Sequence, residues 1–147
     1  MKVIATNKKA YFNYSILDTI LAGIELKGSE VKSVRAGSIS LAESYVVVKG
    51  TELFLRNCYI KPYGAVNNFT PSATRDRKLL LNKSEILKLK QQTAEKGLTL
   101  IATKVGLLGS LVKVEVAAAR GKKLYDKKEA IKEKDLEREA RREIGKR

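Results

Sequence analysis

Apolar residues recur along the first 119 positions at two spacings, and the spacing separates strands from helices. Val112, Val114 and Val116 alternate with Lys113 and Glu115, the period of a strand with one buried and one wet face. Segments 98–105 and 111–118 flank Gly106-Leu107-Leu108-Gly109-Ser110 and read as two strands joined there. Ser44–Val48 and Glu52–Arg56 are separated by Lys49-Gly50-Thr51, which predicts a hairpin with glycine in its turn. Shorter strands are expected at Tyr14–Leu17, Ile24–Leu26 and Asn57–Pro62. Six or so short strands in under 120 residues predict a small closed or partly open β-barrel.

Two stretches carry helix signals instead. Over Ser29–Ala36, Ser29 is a candidate N-cap, Glu30 suits the positive end of the dipole, and Gly37 stops the helix. Over Lys83–Lys96, Asn82 and Glu85 have capping-box spacing and Gly97 suits the C-terminal turn. Ile86, Leu87 and Leu89 give that helix an apolar stripe, expected to lie across an end or seam of the barrel. The polar stretch between Pro62 and Leu79 reads as a loop long enough for a binding role.

The pattern breaks at about Ala119–Gly121. Residues 1–119 hold 18 Lys and Arg against 9 Asp and Glu, net +9; residues 120–147 hold 12 against 7, net +5. We therefore divide the chain into a domain, 1–119, and a basic tail, 120–147. The tail has helix formers and i,i+3 or i,i+4 pairs such as Glu139–Arg142 and Glu137–Arg141, each contributing only about 0.2–0.5 kcal/mol. Its apolar stripe is thin: Leu136, Ala140 and Ile144. Such a helix is marginal in water, so the tail is expected to be disordered when free and helical against RNA.

A net charge of +14 on 147 residues implies a polyanionic partner. No run approaches 18 apolar residues and no signal peptide is visible, so a nucleic acid is favoured over a membrane and the cytoplasm is expected. The single cysteine, Cys58, forms no intrachain disulfide and reads as a buried strand residue. Without histidine, a metal site is disfavoured and an enzyme is not expected; no cofactor motif is present.

Three basic groups invite a phosphate reading. Arg75 and Arg77 alternate in a segment that continues to Lys78, so both can address one backbone; the alternative is a solvated loop. Lys32 and Arg35 are one helical turn apart, or simply a wet helix face. Gly121-Lys122-Lys123 lets the chain approach a phosphate closely, or serves as a hinge. Tyr11, Phe12 and Tyr14 beside Lys8 and Lys9 are either base-stacking aromatics or core.

Taken in order, these motifs resemble a known family. Asn7-Lys8-Lys9-Ala10, the run Ala22–Gly37, Arg77-Lys78-Leu79-Leu80-Leu81-Asn82, Glu95–Leu100, Lys113-Val114-Glu115-Val116, Gly121-Lys122-Lys123, Asp126-Lys127-Lys128 and Ile131–Asp135 are similar to the bacterial SsrA-binding proteins, over essentially the whole chain. The resemblance implies a mainly β fold: a small oligonucleotide-binding-like barrel with accessory helices and a charged C-terminal tail. It implies a non-catalytic, monomeric factor that binds the tRNA-like domain of tmRNA and travels with elongation factor Tu to stalled ribosomes. There the barrel occupies the decoding centre of the small subunit and the tail probes the empty mRNA channel. The expected tmRNA contacts are Lys8, Lys9, Glu30, Lys32, Arg35, Arg75, Arg77, Lys78, Asn82, Gly121, Lys122 and Lys123. Those of the ribosome-directed tail are Asp126, Lys127, Lys128, Ile131, Lys132, Lys134, Arg138, Arg141 and Arg142. Tyr11-Phe12-Asn13 stands where the family commonly has an Arg-His-Asp-like triplet, and Ser72-Ala73-Thr74-Arg75 replaces its Asp-Pro-x-Arg. Lys128 replaces a frequent arginine and loses its planar fork.

Overall fold

The computed structural model describes residues 1–62 and 72–122. Its main feature is one antiparallel sheet of seven strands, in the order β1 (Lys2–Thr6), β8 (Thr99–Leu108), β9 (Leu111–Gly121), β2 (Tyr14–Ile24), β7 (Arg77–Leu80), β5 (Glu52–Arg56) and β4 (Tyr45–Lys49). The two longest pairings build its centre. Strands β8 (Thr99–Leu108) and β9 (Leu111–Gly121) form the hairpin expected from the valine alternation, but they turn at Gly109-Ser110, with Gly109 at φ +61°. Gly106 to Leu108 continue β8, so the predicted turn is only two residues long. Strand β2 (Tyr14–Ile24) pairs with β9 from Tyr14–Gly121 to Gly23–Lys113. It is one eleven-residue strand where the sequence suggested two short ones, because β9 supplies partners along its whole length.

The second expected hairpin is present as β4 (Tyr45–Lys49) and β5 (Glu52–Arg56), closed by Gly50-Thr51 with Gly50 at φ +61°. Strand β7 (Arg77–Leu80) links β5 to β2. It lies in the stretch read mostly as loop; the alternation there is only four residues long and its first member is charged. A small second sheet pairs β3 (Ile39–Ser40) with β6 (Tyr59–Ile60). The edge strands β1 (Lys2–Thr6) and β4 do not pair, yet β4 packs on β8, so the sheet rolls around a core formed by Leu53, Leu55, Leu79, Val105, Val114 and Val116 among others.

Among the described residues, three helices accompany the sheet. Helix α3 (Lys83–Lys96) starts at Asn82, whose backbone N–H donates to Glu85, and ends at Gly97 with φ +62°. Ile86 and Leu89 enter the core; Leu87, assigned to the same stripe, is 55% exposed because it sits about 100° around the helix from Ile86. Helix α2 (Gly28–Arg35) is preceded by Lys27, not Ser29, as N-cap. Glu30 decides this by reaching back to the Lys27 N–H at 2.9 Å. Helix α1 (Lys8–Asn13) was not expected. It exists because the Asn7 side chain accepts from the Ala10 N–H and donates to the Leu41 and Ala102 carbonyls at 3.0 Å each, tying two distant segments to the helix start.

Gly106 lets β1 approach β8. A Cβ there would lie 2.5 Å from the Lys2 carbonyl oxygen and 2.6 Å from Met1 Cγ. Gly106→Ala is therefore expected to push β1 off the sheet edge at a cost of about 1–3 kcal/mol. A lowered urea midpoint with faster amide exchange over residues 2–6 would show it; unchanged exchange there would contradict it.

Candidate nucleic-acid interface

Glu30 organises one end of the sheet from the inside. Its carboxylate is buried and accepts from Arg75 Nη2 at 2.5 Å, Arg77 Nε at 2.6 Å and the Lys27 N–H. Arg77 is fully buried and also donates to the carbonyls of Cys58 at 2.7 Å, Ala73 at 3.1 Å and Arg75 at 3.3 Å. One guanidinium thus fastens α2 to β7, to the residue before β6 and to the segment ahead of β7. Burial pushes the Glu30 carboxyl up, but the hydrogen bonds from Arg75, Lys27 and Arg77, with the charge of Arg77, hold it below the ordinary carboxylate value. Beside it, burial raises the Cys58 thiol to about 11, with smaller opposing effects from Arg77 and Glu30, so it stays protonated and chemically quiet.

This corrects part of the expected RNA-contact set. Arg75 and Arg77 do address one anion together, as alternation suggested, but the anion is Glu30. Arg77 and Glu30 expose almost no side chain, so both lie beneath the surface formed by their neighbours. Lys78, on the opposite face of β7, approaches Glu52 at 3.7 Å and stands apart from both arginines. Asn82 is exposed at the start of α3.

Two cationic groups do gather at the surface, at opposite ends of β2. At the Gly23 end, α2 exposes Lys32 and Arg35, and Arg35 reaches the Ser110 carbonyl at 3.4 Å in the β8–β9 turn. Between them runs an open groove of about 330 Å³, lined by Gly23, Leu26, Val31, Leu80, Leu111 and Lys113. Leu80 and Leu111 are 45% and 59% exposed, large apolar surface beside positive charge. At the Tyr14 end, α1 exposes Lys8 and Lys9, and Gly121 pairs with Tyr14. The Lys122 N–H donates to the Asn13 carbonyl at 2.8 Å, and Lys122 Nζ donates to that of Tyr11 at 3.4 Å. Lys104 stands 5.9 Å from the Tyr11 ring centroid, and exposed Arg120 is nearby opposite Ser15. Nine residues of strand separate the two ends, about 30 Å at the usual rise.

The fold therefore brings Lys8 and Lys9 to Gly121 and Lys122 across more than a hundred positions. Sequence reasoning missed Lys104, Lys113 and Arg120. Lys113 was legible only as the wet phase of the valine alternation, and nothing local marks which wet residues lie beside another cationic element. Lys123, Asp126, Lys127, Lys128, Ile131, Lys132, Lys134, Arg138, Arg141 and Arg142 lie outside the described residues. Among the described residues, no three His, Cys, Asp or Glu side chains are placed to hold a metal ion, and no helix is long and apolar enough to cross a membrane.

Residues 4–146 match the family model described as SmpB protein. The chain is 54% identical to the SsrA-binding protein of Persephonella marina over 95% of its own length and 91% of the relative's. It is 53% identical to that of Caldicellulosiruptor saccharolyticus, over 98% and 91%. A chain in a solved structure described as "tmRNA-SmpB: a journey to the center of the bacterial ribosome" superposes with a TM-score of 0.70 at 41% identity, over 86% of this chain and 93% of that one.

Proposed function

The chain belongs to the SmpB family, and from that we propose that it is a trans-translation factor, which binds the tRNA-like domain of tmRNA and carries it to stalled ribosomes. The observation that carries this reading is the match of the family model over residues 4–146, which takes in both cationic ends of β2. Phosphates are gripped at those ends: by Lys32 and Arg35 with Lys113 at one, and by Lys8, Lys9 and Lys122 at the other. Arg75 adds charge near the first, and Glu30 and Arg77 act through position by fixing α2. Lys78, Asn82, Gly121 and Lys123 complete the interface. The protein acts as a monomer without catalysis or cofactor, in the cytoplasm, in a delivery complex that includes elongation factor Tu. The barrel takes the decoding centre and residues 126–147 enter the mRNA channel, where Asp126, Lys127, Lys128, Ile131 and Lys132 begin a helix.

Binding of the isolated tRNA-like domain, titrated against salt, tests the interface. Each lost phosphate contact to a duplex should lower the log–log salt slope by about 0.9. Lys8→Ala/Lys122→Ala and Arg35→Ala/Lys113→Ala should each flatten the slope by one to two such steps and weaken binding. An unchanged slope in both variants would remove the two-ended grip.

A further inference from the structure

A groove of about 250 Å³ opens between α1 and the start of β4, bordering the cationic end that holds Lys9. It is lined by Asn13, Tyr14, Glu43, Ser44, Tyr45 and Lys9 among others. Its size falls just under the range of about 300–1,000 Å³ typical of drug-sized pockets, the scale of one base. We propose that this groove is a binding slot for a single unpaired RNA base whose edge carries an exocyclic amino group, held between Tyr14 and Tyr45.

Three features carry the assignment. First, the two rings differ in exposure. Tyr14 is packed against Ala10, Ile101, Ala117 and Ala119, which makes it a fixed wall, whereas Tyr45 is 45% exposed and open to a partner. Aromatic faces are the usual platform for unstacked bases. Second, the polar groups suit a base edge. The Glu43 carboxylate offers only acceptor atoms; one oxygen takes Lys9 at 2.8 Å and the other has no partner among the described residues. A carboxylate there accepts from adenine N6 or cytosine N4, whereas uracil lacks an exocyclic amino group and offers only its ring N3–H. The side-chain amide of Asn13 has no hydrogen-bond partner among the described residues and can supply both a donor and an acceptor. Third, the charge balance suits a nucleotide in a chain. Lys9 neutralises Glu43, and the Asn13 carbonyl that borders the slot is bonded to the Lys122 N–H, so a base seated here places its flanking phosphates beside Lys8 and Lys122. The proposal rests on the reading that the chain binds RNA, and adds a base-selective site to a grip otherwise made of phosphate contacts.

The test uses the full chain and fluorescein-labelled single-stranded hexamers of A, C and U in anisotropy titrations. The A and C hexamers should bind several-fold more tightly than U. Tyr45→Ala should weaken A-hexamer binding about tenfold, Tyr45→Phe should bind like the parent, and Glu43→Gln should narrow the preference over U. Equal urea midpoints for the parent and both Tyr45 variants would confirm that the fold is intact. Parent-like binding by Tyr45→Ala, or equal affinity for all three hexamers with a shared salt dependence, would overturn the slot. The same variants titrated with the tRNA-like domain and with small ribosomal subunits name the source of the base by which affinity falls; no loss with either overturns its role. If the parent fails to bind the tRNA-like domain while hexamer binding still depends on Tyr45, the tmRNA reading fails and the slot stands.

Discussion

Arg77→Ala is expected to destabilise the folded protein by about 3–5 kcal/mol, enough to unfold a marginal domain. The residue is fully buried, and its removal strands three things at once. Glu30 loses one of its two guanidinium partners, the Cys58 carbonyl loses the Arg77 donor, and the Ala73 carbonyl is left with the Ile60 N–H alone. A buried charge left short of partners costs more than the intact pair contributes, so the damage exceeds any estimate of the pair's own worth. Arg77→Met should be almost as harmful. Glu30→Met combined with Arg77→Met should recover part of the loss, because the uncompensated carboxylate is gone while the Cys58 carbonyl still lacks the Arg77 donor. Urea denaturation of the three variants measures this, and a loss below about 1 kcal/mol for Arg77→Ala would show that the network is not structural. The sign of the pH dependence follows from the same contacts. Glu30 has a lowered folded value, so its contribution is fully present above the ordinary carboxylate range near 4.3 and disappears as pH falls through the lowered value. The parent should therefore lose stability on acidification in a way that Glu30→Gln does not.

Deleting residues 126–147 should leave tmRNA binding nearly intact and abolish peptide tagging on stalled ribosomes. The deleted segment carries nine Lys and Arg against seven Asp and Glu, so only +2 of the net +14 is removed. Both cationic ends of β2 remain, and with them the electrostatic term that dominates RNA affinity. What is lost is the segment proposed above to enter the mRNA channel, so the loss should fall on the ribosomal step. Tagging assayed with a truncated message, beside tRNA-like-domain binding, separates the two outcomes. A truncated protein that no longer bound the tRNA-like domain would refute this division of labour.

The hairpins at Gly50 and Gly109 and the cap and stop of α3 were legible because each is a local signal: a period, a turn residue, a capping pair. Helix α1 was not, because a six-residue helix is unstable alone and depends on Asn7 bonding to Leu41 and Ala102. The same holds for β7, whose short run becomes a strand only where β2 and β5 flank it.

The sequence by itself determined that this is a basic, β-rich, RNA-directed chain, because net charge, alternation and motif order need no third dimension. Only the tertiary structure decided which charges lie at the surface and which are buried. Arginines two residues apart look alike in sequence to a phosphate clamp and to a buried ion pair, and the difference lies in Glu30, 47 positions from Arg77. Burial settles it: desolvating a guanidinium is tolerable only beside a carboxylate, and folding supplies one. The converse holds for Lys122, which became part of a surface with Lys8 and Lys9 because β2 and β9 bring their ends together.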